Sequence, residues 1–414
     1  MQNLGLYIHI PFCASKCLYC DFCSYAGMDD LIPGYLDALE RHIEESAFLM
    51  EGRYIDTVYF GGGTPSYIGG KRIASIFDTI KSACDVLKDS EVTIECNPDS
   101  VTLRDLQLLR KSGFNRVSFG MQSANAELLK IIGRRHSFTQ VQSAVAQARK
   151  AGFDNINLDL IYGLPSQTRK DWADSLGRAL ELRPEHISCY GLKLEEGTKL
   201  FDSYNNSPLL PGDDEQADMY LYAVETLHQY GYPQYEISNF SLPGYECKHN
   251  LKYWRLEDYM GFGPSAHSFA QGRRYSFVSS LTKYISGVMD GGEIIDSIED
   301  IPPPAQAAEY IMLGMRTNMG ISESEYAEKY RGSFDALESL FKDYEQKGWA
   351  EKSGDSWHFT SSGYLLSNTL IGLLLETEAQ AKLWTSPWMK DYISDEPDLS
   401  LPSDENKIYV SDFS

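Results

Sequence analysis

Six short runs of apolar, β-branched and aromatic residues set the terms for any fold of this chain. They are LYIHI (6–10), DTVYFGGG (56–63), EVTIEC (91–96), RVSFGMQS (116–123), NINLDLIYGLP (155–165) and HISCYGL (186–192). Amphipathic stretches at 31–50, 71–87, 102–112, 137–151 and 169–183 lie between them. Runs this rich in apolar residues suit buried strands. Their alternation with helices predicts a parallel sheet joined by right-handed crossovers. Six such units fall short of the eight that close a barrel. The expected fold is therefore α/β, an open, partial (β/α)6 barrel. Polar and small residues gather at the C-terminal ends of the runs, the face on which β/α barrels build their sites.

The pattern changes after residue 195. A long loop leads to a helix at 214–230, and 231–270 is rich in Tyr, Gly and polar residues. IPPPAQ (301–306) reads as a boundary. Residues 306–371 then mix helices with a strand pair around GWAEKSGDSWHFT (348–360), which suits a small winged-helix-like α+β module. The expected division is a barrel at 1–200, a barrel extension at 201–300, a C-terminal domain at 301–375 and an acidic extension at 376–414. Within that extension, 391–414 holds seven Asp/Glu against one Lys and reads as a loosely held tail.

Charge narrows the partners. With 37 Lys+Arg against 59 Asp+Glu the net charge is −22, so there is no long-range attraction for phosphate backbones and nucleic acid is excluded as a partner. No apolar run approaches the ~20 residues that cross a bilayer, and no secretory signal is expected at the N-terminus. The expectation is a cytoplasmic protein, with room left for peripheral membrane contact and for a homodimer. Of eight cysteines, 13, 17, 20 and 23 fall within eleven residues, while 84, 96, 189 and 247 are scattered. Clustered thiols in a long, non-secreted chain read as metal or cluster ligands, and scattered ones as small buried hydrophobes.

The decisive segment is Cys13-Ala-Ser-Lys-Cys17-Leu-Tyr-Cys20, directly after the first run. Three thiolates in one short loop can take three corners of a cubane iron–sulfur cluster and leave the fourth open to a small molecule. Structural zinc is the alternative, but it wants a fourth ligand and a closed shell. Cys23 could supply one, though it follows closely. Gly61, Gly62 and Gly63 end the second run, followed by Thr64 and Pro65, and read either as a strand-to-helix turn or as backbone open to a ligand. Glu95 and Asp159 lie near the ends of the third and fifth runs, where a carboxylate serves a ribose or an ammonium, or a salt bridge that closes the barrel.

The cysteine spacing after a first strand resembles the radical S-adenosylmethionine (SAM) superfamily. More narrowly, YIHIPFCASKCLYCDF, GGGTP (61–65), ECNP (95–98), GMQS (120–123), GRRH (133–136) and NLDLIYGLP (157–165) resemble the oxygen-independent coproporphyrinogen oxidase family across most of residues 4–372. The resemblance implies a 4Fe-4S cluster on Cys13, Cys17 and Cys20, with SAM chelating the fourth iron. It places SAM contacts on Tyr7, Gly62, Gly63, Thr64, Glu95, Gln122, Arg134 and Asp159, and Tyr19 near the cofactor. Phe12 and Phe22 are expected to shield the cluster from solvent.

Two branches of that family differ. The oxidising enzymes end the motif in Cys-x-Cys and carry an additional N-terminal arm. Here Cys20 is followed by Asp21 and Phe22, and six residues precede Tyr7. Cys23 is displaced by one position from the fourth cysteine. These departures resemble the HemW-type heme chaperone branch. So does His249-Asn-Leu-Lys-Tyr253-Trp254, which matches the HNxxYW motif of that branch. His249 offers an imidazole for heme iron, and Tyr253 and Trp254 offer flat faces for a porphyrin; alternatively His249 caps a turn and the aromatics fill a groove. Cys247 and His267 are lesser candidates beside it. The resemblance implies a chaperone that binds heme and loads it into acceptor proteins, respiratory proteins among the candidates. The alternative is oxidative decarboxylation of coproporphyrinogen III. A third reading is radical SAM modification or breakdown of heme.

Overall fold

The computed structural model describes residues 3–330 and 333–385. The acidic segment 391–414 lies outside them. All six expected strands are present as β1 (Asn3–Ile10), β2 (Tyr54–Gly62), β3 (Asp85–Cys96), β4 (Arg116–Gln122), β5 (Ile156–Tyr162) and β6 (His186–Gly191). They are parallel neighbours in chain order. The longer helices between them are α1 (Ile32–Glu45), α2 (Gly70–Ala83), α3 (Leu103–Ser112), α4 (Phe138–Ala151) and α5 (Arg169–Glu181). Thr102, Ser137 and Thr168 accept the N–H of the third residue beyond them, so three of these helices start where their sequence supplies an N-cap.

The strands alternate more strictly than their sequence suggests. Leu4, Leu6, Ile8 and Ile10 of β1, Val58 and Phe60 of β2, Val92 and Ile94 of β3, and Val117 and Phe119 of β4 are fully or almost fully buried in one core with Leu39, Ile76, Leu106, Val141 and Leu176 of the helices. The intervening positions point the other way. Gly5, Tyr7 and His9 stand opposite Thr57, Tyr59 and Gly61. Glu95 stands opposite Ser118, and Asp159 opposite Gly120 and Ser188. The result is an apolar outer wall and a polar lumen.

The sheet does not end with these six strands. After α6 (Asp213–Gln229) come β7 (Gln234–Glu236), β8 (Asn239–Ser241), the short helix α7 (Lys248–Trp254), β9 (Tyr259–Phe262), β10 (His267–Ala270), β11 (Arg273–Phe277), α8 (Leu281–Asp290) and β12 (Ile295–Asp300). They extend both edges, in the order β12-β11-β10-β9-β1-β2-β3-β4-β5-β6-β8-β7. The stretch rich in Tyr, Gly and polar residues is thus largely strand and helix. Its strands are only three to five residues long up to β11, too short for a period of two to declare itself.

The chain divides into two compact units, Met1–Ile301 and Pro302–Ser414. The second holds α9 (Pro303–Gly314), β13 (Ile321–Ser322), α10 (Glu323–Tyr330), α11 (Asp335–Gln346), the hairpin of β14 (Ala350–Ser353) and β15 (Ser356–Phe359), and α12 (Ser367–Thr385). Trp357 stacks on Phe341 at 5.2 Å at the centre of this unit. The expected boundary at 375/376 falls inside α12. Among the described residues no helix is long and apolar enough to cross a membrane.

Candidate cluster and cofactor site

The loop after β1 is pinned before it reaches its first cysteine. Phe12 is fully buried and packs edge-on against Tyr35, 5.3 Å between centroids. The end of β2 docks beside it: Gly63 N donates to Ile10 O (2.9 Å) and Thr64 N to Phe12 O (2.9 Å). A Cβ at Gly63 would sit 2.9 Å from Ile10 O, Phe12 N and Phe12 O. Gly62 has φ +108°, and its Cβ would meet the His9 ring at 2.5 Å. Both positions are therefore also required to be bare by the protein's own packing, and Gly62 lines the cavity described below. Their effect is to bring Thr64 Oγ1 to 3.4 Å from Cys13 Sγ.

All three motif cysteines are free thiols. Burial pushes each of them up, and they repel one another as charges, Cys20 acting on Cys13, Cys13 on Cys17 and Cys17 on Cys20. Arg134 opposes this at Cys13 and Cys17. The Ser24 hydroxyl lies close enough to lower the pKa of Cys13 and Cys20, yet it is buried without a hydrogen-bond partner. This donor set fits a 4Fe-4S cluster: three soft ligands, a cation against the cluster's charge, and an unbonded hydroxyl available to its sulfides. Among the described residues no three His, Cys, Asp or Glu side chains converge on a single metal-sized point; a cubane takes one thiolate per iron. Cys23 is turned elsewhere, its Sγ donating to Ser279 O at 3.3 Å.

From Cys13 a polar chain runs across the strand ends. Asn97 Nδ2 donates to Thr64 Oγ1 (3.4 Å), Arg134 Nη1 to Asn97 Oδ1 (2.6 Å), and Arg134 Nη2 to Tyr19 OH (3.1 Å). A Cβ at Gly120 would meet Gln122 Nε2 at 2.8 Å and Arg134 Nη2 at 2.9 Å, so these two side chains meet above that glycine. Gln122 is buried with φ +60°, and Arg134 Nε is buried and unpartnered. Strain and orphaned donors of this kind accumulate where a ligand completes the site.

Glu95 accepts from Tyr59 OH (2.8 Å) and Gly62 N (3.3 Å). Burial, reinforced by Asp159, raises its carboxyl to about 7 against those hydrogen bonds. Asp159 accepts from Ser118 Oγ and Asn157 Nδ2, both at 2.8 Å. Beside Glu95, Gly62 and Tyr7 lies an open cavity of about 430 Å³, bounded on its other side by Phe22, Tyr253, Tyr259 and His267. Phe22 is 64% exposed, whereas Phe12 belongs to the core.

The second motif is helical. It forms α7, whose start is held by the Glu91 carboxylate through Lys248 N (3.1 Å) and His249 N (3.0 Å). Glu91 stands opposite Thr57, and Thr57 opposite Gly5, so α7 sits at the N-terminal layers of the lumen. His249 is 1% exposed. Its Nδ1 bonds Thr57 Oγ1 (2.9 Å), its Nε2 bonds Tyr253 OH (2.8 Å), and its ring stacks on Tyr59. Burial drives it down to about 3, so it is neutral. Cys247 is fully buried, with its thiol pushed up to about 12 by burial and bonded to Glu91. Trp254 is half-buried. Tyr253 is the one residue of the motif that lines the cavity.

Comparison with known proteins fits this arrangement. The Radical SAM superfamily matches residues 7–179, and the HemN C-terminal domain matches residues 301–366. The chain is 37% identical to heme chaperone HemW of Bacillus subtilis (strain 168), over 89% of this chain and 98% of that protein. It is 34% identical to heme chaperone HemW of Escherichia coli (strain K12), over 91% and 99%. The chain belongs to the HemW family. Among solved structures, coproporphyrinogen III oxidase from Escherichia coli, described as a radical SAM enzyme, matches at TM-score 0.79 with 25% identity, covering 90% of each chain.

For this HemW-family chain, sequence reasoning named most of the polar face but missed two members. Asn97 joins Thr64 to Arg134, and Ser24 stands beside two cysteines. Asn97 was in view within the ECNP motif. Ser24 carries no sequence signal at all; only the folded loop brings its hydroxyl back to Cys13.

Proposed function

We propose that this chain is a cytoplasmic heme chaperone that holds a 4Fe-4S cluster on Cys13, Cys17 and Cys20, binds SAM along the strand ends, and hands heme to acceptor proteins. The observation that carries this reading is its 37% identity to a heme chaperone of which it covers 98%; identity to the oxidase is 25%. Tyr7, Glu95, Gln122, Arg134 and Asp159 supply the hydroxyl, carboxylates, amide and guanidinium that a zwitterionic sulfonium nucleoside needs. Thr64 acts one step back, tying Cys13 to Asn97. A cluster held on Cys13, Cys17 and Cys20 would, when reduced, be able to supply one electron to the sulfonium of bound SAM. Glu95, at about 7, holds or releases a proton near neutrality. Heme is cargo, and an open cavity beside the SAM face suits its exchange.

The test is a hemin titration of the anaerobically reconstituted full chain, followed by mixing with an apo-globin, with coproporphyrinogen III turnover assayed in parallel. The expected result is stoichiometric heme binding, transfer to the globin, and no divinyl product. Turnover to protoporphyrinogen would make the chain an oxidase. Failure to bind heme would remove the chaperone reading.

A further inference from the structure

Three imidazoles lie in or near the lumen beside β1, and two of them are already spoken for. His9 is 5% exposed, bonded through Nδ1 to Tyr7 OH (3.1 Å) and through Nε2 to Cys23 O (2.7 Å). His249 is bonded at both nitrogens and buried, as described. His267 differs in exposure and bonding, since His9 also lines the cavity but has both ring nitrogens engaged. It is exposed, it lines the cavity, and among the described residues no hydrogen bond engages its ring.

The segment that carries His267 is rigidly set. Gly263 has φ +106° and Ser265 φ +61°, a left-handed conformation that a serine adopts only when its surroundings impose it. Those surroundings are visible. A Cβ at Gly263 would lie 2.7 Å from His9 O, so this turn packs directly on β1. Ser265 N donates to Phe277 O and Val278 O, and Ala266 accepts from Phe277 N (3.1 Å). β10 therefore starts at a fixed place, with His267 as its first residue facing the cavity.

One side of the cavity, away from the SAM face of Tyr7, Gly62 and Glu95, is aromatic and suits a flat ligand. Phe22 stands 64% exposed at its rim, a large apolar face left to solvent. Tyr253 and Tyr259 meet edge to face at 4.6 Å and form another wall. Partial burial, with Arg274 adding and Asp296 opposing, lowers the His267 pKa and so favours the neutral ring with its lone pair.

We propose that His267, rather than His249, supplies the axial imidazole to the iron of a porphyrin seated edge-on in this cavity, with Phe22, Tyr253 and Tyr259 against the macrocycle. The inference rests on the heme-chaperone reading and names its ligand. One imidazole in an open cavity holds heme without caging it, which is what a donor of heme requires. His249 acts on the same site from behind, by fixing the Tyr253 hydroxyl.

The experiment is absorption and resonance Raman titration of the anaerobic full chain with hemin, for wild type, His267→Ala and His249→Ala. In wild type an iron–imidazole signature is expected. His267→Ala should lose that signature and weaken hemin binding by about tenfold or more, with cluster content unchanged, and added free imidazole should restore the signature. His249→Ala should keep the signature. Should that variant fail to fold, His267→Ala with imidazole rescue decides the matter alone. An unchanged spectrum in His267→Ala overturns the assignment while leaving the chaperone reading intact. Absence of heme binding by the wild type overturns the chaperone reading and the assignment with it.

Discussion

Gly63→Ala tests the account of how the cysteine loop is held. The added Cβ would stand 2.9 Å from Ile10 O, Phe12 N and Phe12 O. None of these is the end of a flexible side chain, so the β2 end and the loop after β1 must separate by a few tenths of an ångström. Overpacking of that kind costs about 1–3 kcal/mol. The same movement stretches the bonds from Gly63 N to Ile10 O and from Thr64 N to Phe12 O, adding about 1 kcal/mol if they are half lost. At about 2 °C per kcal/mol for a unit of this size, the apparent Tm should fall by about 4–8 °C. Thr64 would also withdraw from Cys13, so iron content after reconstitution should drop even in the fraction that stays folded. Gly177→Ala is the control. That glycine lies in α5 with nothing within 4 Å of its Cβ, and alanine there should leave Tm unchanged or raise it through helix propensity. Thermal melts with iron and sulfide analysis measure all of this. A Gly63→Ala protein with wild-type Tm and full cluster would refute the claim that Gly63 is bare for packing.

The remaining outcomes are quicker to state. Alanine at Cys13, Cys17 and Cys20 together should abolish iron and sulfide uptake, and Cys23→Ala should retain both; a cluster that vanishes only with Cys23 would reverse the ligand assignment. Asn97→Ala breaks the link between Thr64 and Arg134; a charge-assisted bond of about 1.5–3 kcal/mol implies SAM affinity lower by about tenfold or more in calorimetry, with the cluster present, and unchanged affinity would place SAM elsewhere. Glu95 is protonated more readily in the folded protein than in the unfolded chain, since its carboxyl is raised from 4.5 to about 7. Stability should therefore fall as pH rises from about 4.5 to 7, with up to about 3 kcal/mol of the fall coming from Glu95; Glu236, also raised to about 7 by burial, adds to the same slope, so chemical denaturation of Glu95→Gln should show a shallower one, and an identical slope would show that Glu95 titrates normally.

The six barrel strands and five helices were legible because each buries an apolar face and three of the helices carry their own caps, Thr102, Ser137 and Thr168. The cysteine loop was legible for a different reason: thiols at that spacing have few other uses. What escaped was set by tertiary contact. Strands of three to five residues, such as β7 and β10, exist because an edge is waiting for them, not because their sequence insists. Gly62 and Gly63 show the converse. A glycine run at a strand end looks like a ligand cradle, and only the folded chain shows that His9 and the Ile10–Phe12 backbone also need those positions bare.

His249 carries the same lesson into function. A histidine beside two aromatics looks like a metal ligand from sequence, but α7 places it where Glu91, Thr57 and Tyr253 take its N–H and both ring nitrogens. Removing it would leave Thr57 Oγ1 and the Tyr253 hydroxyl unsatisfied in the lumen, at about 1–3 kcal/mol for each buried group. Tyr253 would then lose the bond that fixes it in the cavity wall, and Tyr259, packed edge-on against it, would lose its support. A variant at His249 can thus weaken heme binding without any bond from His249 to iron. Affinity alone cannot separate that indirect effect from ligation, whereas the iron–imidazole signature can, because it follows the side chain that touches the metal.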